Sequence, residues 1–248
     1  MIVLTRRAAF AIVYGLITHL TFVCAVVLMV TALYQGLRTG LGHLHGWQGA
    51  LADTLLIVQY PVIHSFFLGA RGRRLMARLF PDDLGKDLAT TTFALIASIQ
   101  VIATFALWSP SGVMLFEATG KTLWVFRVLF AFSWLFLGKA MLDAGLGLQT
   151  GYIGWRAVSR GNRPAYKKFP THGLFRMVRQ PVYLGFALTL WTTPAYTLDG
   201  VLLAIVWTIY CFAGPLLKEA RYLNWHGNAY AQYRAAVPYI FPWRRPRT

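Results

Sequence analysis

Residues 173–243 read GLFRMVRQPVYLGFALTLWTTPAYTLDGVLLAIVWTIYCFAGPLLKEARYLNWHGNAYAQYRAAVPYIFPW. The stretch contains two apolar segments: one begins after the Arg-X-Pro turn that ends at Pro181, and the other follows Pro194 and Asp199. Apolar segments joined by only a few residues pack as an antiparallel helical pair. A polar tail with ionisable side chains follows the second segment. The pattern therefore predicts a membrane hairpin whose polar chemistry is gathered at one end.

The composition of the whole chain is that of a membrane protein. Of its 248 residues, 57% are hydrophobic and the mean hydropathy is +0.51, whereas soluble domains average about 45–50% apolar residues. The net charge of +16 does not indicate a nucleic-acid partner, because the basic residues form short runs between long apolar segments. Such runs favour membrane lipids or an anionic substrate. Cys24 and Cys211 lie in apolar segments without metal-ligand spacing, and no metal site is predicted.

Six apolar segments are long enough, or nearly so, to cross a bilayer, which takes about 20 helical residues. They lie near residues 8–34, 50–69, 89–108, 122–146, 181–195 and 200–217. The sequence therefore predicts an all-α, polytopic membrane protein with about six transmembrane helices. The first segment has no small-residue cleavage site, so we expect it to remain a membrane span.

The charges of the loops predict the orientation of the chain. Most of the 24 basic residues precede the first segment, follow the second or fourth, or lie in the tail. Because loops rich in Lys and Arg stay in the cytoplasm, both termini are predicted to be cytoplasmic. We expect two parts, with transmembrane helices in 1–146 and the hairpin, its preceding polar connection and the tail in 147–248.

Two arginines stand where the hairpin begins. Pro181 suits the first turn of a helix, where its missing N–H has no consequence. Arg176 and Arg179 then lie at the donor-rich, positive end of that helix, which favours a carboxylate or phosphate ligand. The alternative is that both arginines only anchor the helix at the lipid headgroups.

A single acid and two tyrosines distinguish the tail. Glu219 is the only acid after Asp199, and it either forms an ion pair with a neighbouring Lys or Arg or binds a ligand hydroxyl. Tyr230 and Tyr233 are three residues apart and share one face of a short amphipathic helix. They are either interfacial anchors or ligand contacts.

Polar residues also occur inside the apolar segments. His64 lies in the second segment, where an ionisable side chain is a functional candidate, although an interhelical hydrogen bond is the commoner explanation. Lys139 and Asp143 are four residues apart in the fourth segment and are expected to pair with each other.

Taken together, these features resemble the membrane methyltransferases related to isoprenylcysteine carboxyl methyltransferase. The residues that match the motifs of that family are Gly173, Phe175, Arg176, Arg179, Pro181, Tyr183, Gly185, Glu219, Tyr230, Tyr233 and Pro238. His64-Ser65 and residues 147–155 are similar to the bacterial branch that includes methanethiol S-methyltransferase, and to the NnrU-type proteins. Two positions depart from the family pattern, because Gln180 replaces a His and Ala220 replaces the second Glu of a pair.

The resemblance implies an S-adenosylmethionine site in residues 147–248 of a multi-pass bacterial inner-membrane enzyme. The cofactor contacts that it implies are Arg179, Gln180, Pro181, Tyr183, Glu219, Tyr230 and Tyr233. Arg176 and Glu219 are the expected catalytic residues, and His64 is expected to line the acceptor pocket. The expected acceptor is a small or lipophilic molecule that is methylated on a thiol. Arginines suit that reaction, since a nearby cation raises the thiolate fraction.

Other functions remain open at this point. A membrane reductase of steroids or carotenoids would bind a nicotinamide phosphate through the same arginines. An NnrU-type isomerase would use haem, with His64 as an axial ligand. A transporter or scaffold is disfavoured, because no inverted repeat is visible and the polar residues cluster at one end of the spans.

Overall fold

The computed structural model describes residues 5–166 and 168–243 of the chain. Its helices are α1 Arg6–Tyr34, α2 Gly46–Leu68, α3 Ala70–Ala77, α4 Leu84–Asp87, α5 Ala89–Ala106, α6 Gly120–Gln149, α7 Tyr152–Ser159, α8 Pro181–Trp191, α9 Leu198–His226 and α10 Asn228–Ala236. The predicted all-α membrane architecture is confirmed. Within the described residues, α1, α2, α5, α6 and α9 are long and apolar enough to cross a membrane.

The fifth predicted segment forms a helix that is shorter than a membrane span. Helix α8 has 11 residues and ends at Trp191; at about 1.5 Å per residue it measures roughly 16 Å, against about 30 Å for the hydrocarbon core. Pro194 explains the early end, because a proline disfavours helical angles in the residue before it. The expected helical residues up to 195 instead lead into strand β2, Ala195–Thr197, which pairs antiparallel with β1, Met114–Glu117.

Helix α9 is longer than the sequence suggests. It begins at Leu198, where the Thr197 side chain accepts a hydrogen bond from the Gly200 N–H at 3.0 Å, as an N-cap residue does. It runs on to His226, beyond the end predicted at residue 217. Glu219 therefore lies within the helix and not in the tail.

Contacts divide the chain into two compact units, and the first combines Met1–Ala32, Thr39–Pro110 and Leu146–Tyr166. Within it, α2 and α5 are joined by two amide side chains. Gln59 Nε2 donates to the Gln100 carbonyl at 3.1 Å, and Gln100 Nε2 donates to Gln59 Oε1 at 2.8 Å. Interhelical amide bonds of this kind hold membrane helices together, because lipid offers no alternative partner.

The second unit combines Leu33–Arg38, Ser111–Gly145 and Lys167–Thr248, and it holds β1, the first part of α6, α8, β2, α9 and α10. Gly185 lets α8 approach α6 closely, because a Cβ there would lie 2.9 Å from the Leu137 Cα. Gly145 interrupts α6 with non-helical angles (φ 93°, ψ 85°), which a glycine adopts readily. The functional division expected between residues 146 and 147 stays a prediction.

Candidate active site

The turn that precedes α8 lies in the second unit. It starts with a 3-10 helix, Gly173–Arg176, and Gly173 has a positive φ of 56°, which favours glycine. Pro181 then occupies the first position of α8, with Gln180 as its N-cap residue. The local sequence thus explains both ends of the turn, since glycine permits its entry and proline fixes the start of the helix.

A buried ion pair joins this turn to α9. Arg179 Nε and Nη2 donate to the two carboxylate oxygens of Glu219 at 2.8 and 3.2 Å, and each side chain is only 4% exposed. The exposed Arg234 side chain lies at 3.5 Å from Glu219 Oε2. This forked, two-point contact is the strongest geometry available to an arginine and a carboxylate. The guanidinium and the carboxylate thus compensate each other's charge where water is excluded.

Gln180 extends the pair into a polar network. It is completely buried, its Nε2 donates to Glu219 Oε1 at 2.8 Å, and its Oε1 accepts from Lys218 Nζ at 2.9 Å. The Lys218 ammonium also lies 5.4 Å from the Tyr183 ring centroid and 5.7 Å from that of Tyr222, which is cation–π distance. A neutral amide can therefore bridge an acid and a cation at the position where the family that the sequence resembles has a histidine.

The tail is tied across the same turn. Arg179 N and Gln180 N donate to the Pro238 and Tyr239 carbonyls at 2.9 and 3.1 Å. Arg179 Nη1 donates in addition to the carbonyls of two tail residues, Arg234 and Val237, at 2.9 and 2.5 Å. Arg179 thus fixes the tail through its backbone and its side chain together.

A cleft opens between the turn, α9 and α10. It encloses only about 10 Å³, and its lining residues are Phe169, Pro170, Phe175, Arg179, Lys218, Tyr222, Tyr230 and Tyr233. The Phe169 ring meets those of Tyr230, His226 and Tyr233 at centroid distances of 5.1, 5.2 and 5.5 Å. The cleft therefore offers aromatic faces beside basic side chains.

The tyrosines of the tail remain neutral donors in this environment. Burial, reinforced by the Glu219 carboxylate and opposed by the Arg179 guanidinium, raises the pKa of Tyr230 well above its ordinary value. Burial likewise raises the pKa of Tyr233, whose hydroxyl donates to the Phe175 carbonyl at 2.8 Å. Neither hydroxyl is suited to act as a base near neutral pH.

Arg176 differs from Arg179 in both exposure and partners. It is exposed, and it forms no hydrogen bond or ion pair with any residue that the structure describes. It directly follows Phe175, which lines the cleft. Of the two arginines singled out by the sequence, the one with an available guanidinium is thus Arg176.

All but one of the site residues expected from the sequence lie in the second unit, although only Arg179, Tyr230 and Tyr233 of them line the cleft. Arg176, Arg179, Gln180, Pro181, Tyr183, Glu219, Tyr230 and Tyr233 all belong to the second unit. His64 belongs to the first, where its ring lies 4.9 Å from that of Tyr60 and 4.8 Å from that of Phe93. Its predicted role at the acceptor pocket stays a prediction.

Sequence reasoning missed several lining residues. Lys218 and Tyr222 are four residues apart and share one face of α9, a spacing that was available as a signal. Phe169 and Pro170 belong to the connection before the turn, and no periodic pattern marks them. The expected pairing of Lys139 with Asp143 is confirmed.

Comparison with known proteins gives clear relatives. A methanethiol S-methyltransferase of Bradyrhizobium diazoefficiens is 28% identical over 205 residues, covering 80% of this chain and 68% of the relative. One from Pseudomonas sp. (strain GM41(2012)) is 27% identical over 238 residues, covering 89% and 88%. A nurim homolog of Drosophila melanogaster is 24% identical over 169 residues, covering 64% of each chain. No family model and no solved structure matches the chain.

Fold, site and relatives together define an integral membrane methyltransferase, which requires a methyl donor and a small-molecule acceptor. The chain is similar to the methanethiol S-methyltransferases, at 26–28% identity over about four fifths of its length. The names of these relatives favour methyl transfer over the reductase and the haem-dependent isomerase.

Proposed function

We propose that this protein transfers a methyl group from S-adenosylmethionine to the sulfur of a small thiol at the bacterial inner membrane. The acceptor class is drawn from the relatives, whose names specify methanethiol. The observation that carries the proposal is the cleft of basic and aromatic side chains, with the unpaired Arg176 directly after its lining residue Phe175.

The side chains present suit the donor. Arg176 would bind the donor carboxylate, since a guanidinium fork matches a carboxylate. Lys218 supplies a second cation, and the rings of Phe169 and Tyr222 supply flat apolar surface for the adenine. Ligand pockets usually measure about 300–1,000 Å³, whereas this cleft encloses only about 10 Å³, so the donor would enter only after the Phe169 segment shifts.

Three of the expected contacts act on the frame of the site. The polar side-chain atoms of Arg179, Gln180 and Glu219 are used in bonds to one another and to the tail. We therefore assign them the task of holding the turn, α9 and the tail in place, with Pro181 fixing the start of α8. Direct contact with the donor falls to Arg176, Tyr183, Tyr230 and Tyr233.

The chemistry needs alignment and a thiolate. When bound, the donor supplies an electrophilic methyl group on a positively charged sulfur. Arg176 and Lys218 favour the ionised form of an incoming thiol, whose proton passes to water. The cleft walls hold the two reactants in line, which can supply much of the rate acceleration. The neutral tyrosine hydroxyls do not take part as bases.

Binding and product analysis test this function. Purified protein in detergent should bind S-adenosylmethionine by calorimetry, and with methanethiol it should form dimethyl sulfide and S-adenosylhomocysteine. Arg176→Ala should weaken donor binding by roughly tenfold, the value of a charge-assisted bond of about 1.5 kcal/mol or more. Arg127, an exposed arginine of α6 in the same unit, supplies the matched control Arg127→Ala. Absence of donor binding by the unmodified protein would refute the proposal.

His64 has a separate test. If it lines the acceptor pocket, His64→Ala should raise the KM for the thiol and leave the dissociation constant of the donor unchanged. A change in donor affinity with an unchanged KM for the thiol would remove His64 from the acceptor site.

A further inference from the structure

Asp143 of α6 is bonded to the turn that carries Arg176. It is 8% exposed, and its Oδ2 accepts a hydrogen bond from the Leu174 backbone N–H at 2.9 Å. Its Oδ1 is bonded to Lys139 Nζ. Both carboxylate oxygens are therefore occupied, one by the turn and one by a neighbouring cation on the same helix.

Gly173 explains why the carboxylate can approach so closely. A Cβ at this position would lie 2.2 Å from Asp143 Oδ2, which is impossible without displacing one of the two groups. The positive φ of Gly173 also turns the chain so that the next N–H, that of Leu174, points to the carboxylate. The glycine and the acid thus form one arrangement that sets where the turn begins.

Two buried acids hold the segment from Gly173 to Gln180, one at each end. Asp143 binds its first turn through Leu174, and Glu219 binds its last two residues, Arg179 and Gln180. Arg176 lies between the two attachments and has no partner of its own among the described residues. The backbone that carries Arg176 is thus held in place, and a ligand group on a preorganised backbone has less freedom to lose on binding.

We propose that Asp143 is a positioning residue for Arg176, acting through its hydrogen bond to Leu174; this inference rests on the proposed function. Removing the acid frees the start of the turn, so that Arg176 must be ordered when the donor binds. The effect is expected in donor affinity, because Arg176 is the residue proposed to bind the donor carboxylate.

Three substitutions at Asp143 distinguish the effect of where its carboxylate lies from the effect of its negative charge. Asp143→Ala should raise the dissociation constant of S-adenosylmethionine by up to roughly tenfold, and by no more than Arg176→Ala, because it acts only through Arg176. Asp143→Asn keeps an oxygen for the Leu174 N–H and should restore affinity to within about threefold of the unmodified protein. Asp143→Glu keeps the charge but moves it by one methylene, and it should weaken binding although the pair with Lys139 can still form. Equal affinity in Asp143→Glu and the unmodified protein would contradict a positional role.

Asp199 provides a matched control in the same unit. It is 7% exposed, and its Oδ2 accepts hydrogen bonds from the Ser111 backbone N–H at 2.9 Å and from the Ser111 hydroxyl at 2.8 Å. Asp199→Ala therefore removes a buried acid that also holds a loop, but it leaves the turn untouched. It should lower the unfolding temperature without changing donor affinity. An equal loss of affinity in both variants would show a general structural effect and overturn the inference.

A double-mutant cycle gives the decisive measurement. In the Arg176→Ala background, Asp143→Ala should have little further effect on the dissociation constant, because two residues that act through one contact are non-additive. A full additional loss would overturn the inference while leaving the proposed function intact. If the unmodified protein does not bind the donor, the proposed function fails first and this inference fails with it.

Discussion

Arg179 and Glu219 illustrate how burial decides the task of a charged residue. Their side chains are each 4% exposed, and an unpaired charge in such a place would be strongly unfavourable. The two groups therefore neutralise each other, and neither is left for a ligand. Arg176, three residues earlier and exposed, retains an available guanidinium. Two arginines that look alike in sequence thus differ in burial and in bonding: Arg179 is buried and paired, and Arg176 is exposed.

This division of tasks can be tested by comparing stability with binding. Glu219→Gln leaves the Arg179 charge buried without its partner and should reduce the free energy of unfolding by about 3–5 kcal/mol. Arg176→Ala breaks no hydrogen bond or ion pair with the described residues and should change the free energy of unfolding by less than about 0.5 kcal/mol. Thermal unfolding in one detergent compares the two variants. An undiminished unfolding temperature in Glu219→Gln would show that the ion pair does not stabilise the site.

At the scale of elements, helix α10 and the residues after it form one wall of the cleft. They are held by backbone bonds to Arg179 and Gln180 and by the Tyr233 hydroxyl, which donates to the Phe175 carbonyl. The aromatic contacts of Phe169 with Tyr230 and Tyr233 cover the same surface. This wall is therefore held against a turn that lies more than 50 residues earlier in the chain by a small number of hydrogen bonds.

Tyr233→Phe removes one of these attachments and keeps the ring. A hydrogen bond of this type contributes about 1 kcal/mol, so amide hydrogen exchange in α10 should become roughly fivefold faster. Tyr230→Phe is the matched control, because the Tyr230 hydroxyl forms no hydrogen bond with the residues described here. Exchange measured by mass spectrometry should be unchanged in that variant. Equal exchange rates in both variants would show that the hydroxyl of Tyr233 does not hold the helix.

At the scale of the whole molecule, the basic residues that flank the spans predict how the chain is oriented in the membrane. The basic loops and the basic tail predict that both termini face the cytoplasm. The cleft lies at the end of α9 that leads into this tail. A polar donor made in the cytoplasm would then reach the cleft directly, and an apolar thiol would reach it through the lipid.

A reporter fusion checks this orientation. An alkaline phosphatase fused after Thr248 should be inactive, and a fluorescent protein that folds only in the cytoplasm should be bright at the same position. The same pair inserted after Gly112, between α5 and β1, should give the opposite result. An active phosphatase after Thr248 would refute the predicted topology.

The amino-acid sequence by itself determined the membrane architecture and the neighbourhood of the site. Apolar runs of span length are local properties, since transfer into lipid depends on composition and length. The turn before Pro181 was also readable, because glycine and proline restrict the backbone where they stand. The helix ends were less certain, as α8 and α9 show, because propensity and tertiary contacts compete there.

Only the tertiary structure decided which charged groups are available. Arg179 and Glu219 are 40 residues apart in the chain, and Asp143 and Leu174 are 31 apart. No local pattern specifies such pairs, because they depend on how α6, α9 and the turn pack together. Charge and spacing in the sequence marked a candidate set, and burial in the fold divided that set into the bonded residues Arg179, Gln180 and Glu219 and the exposed Arg176.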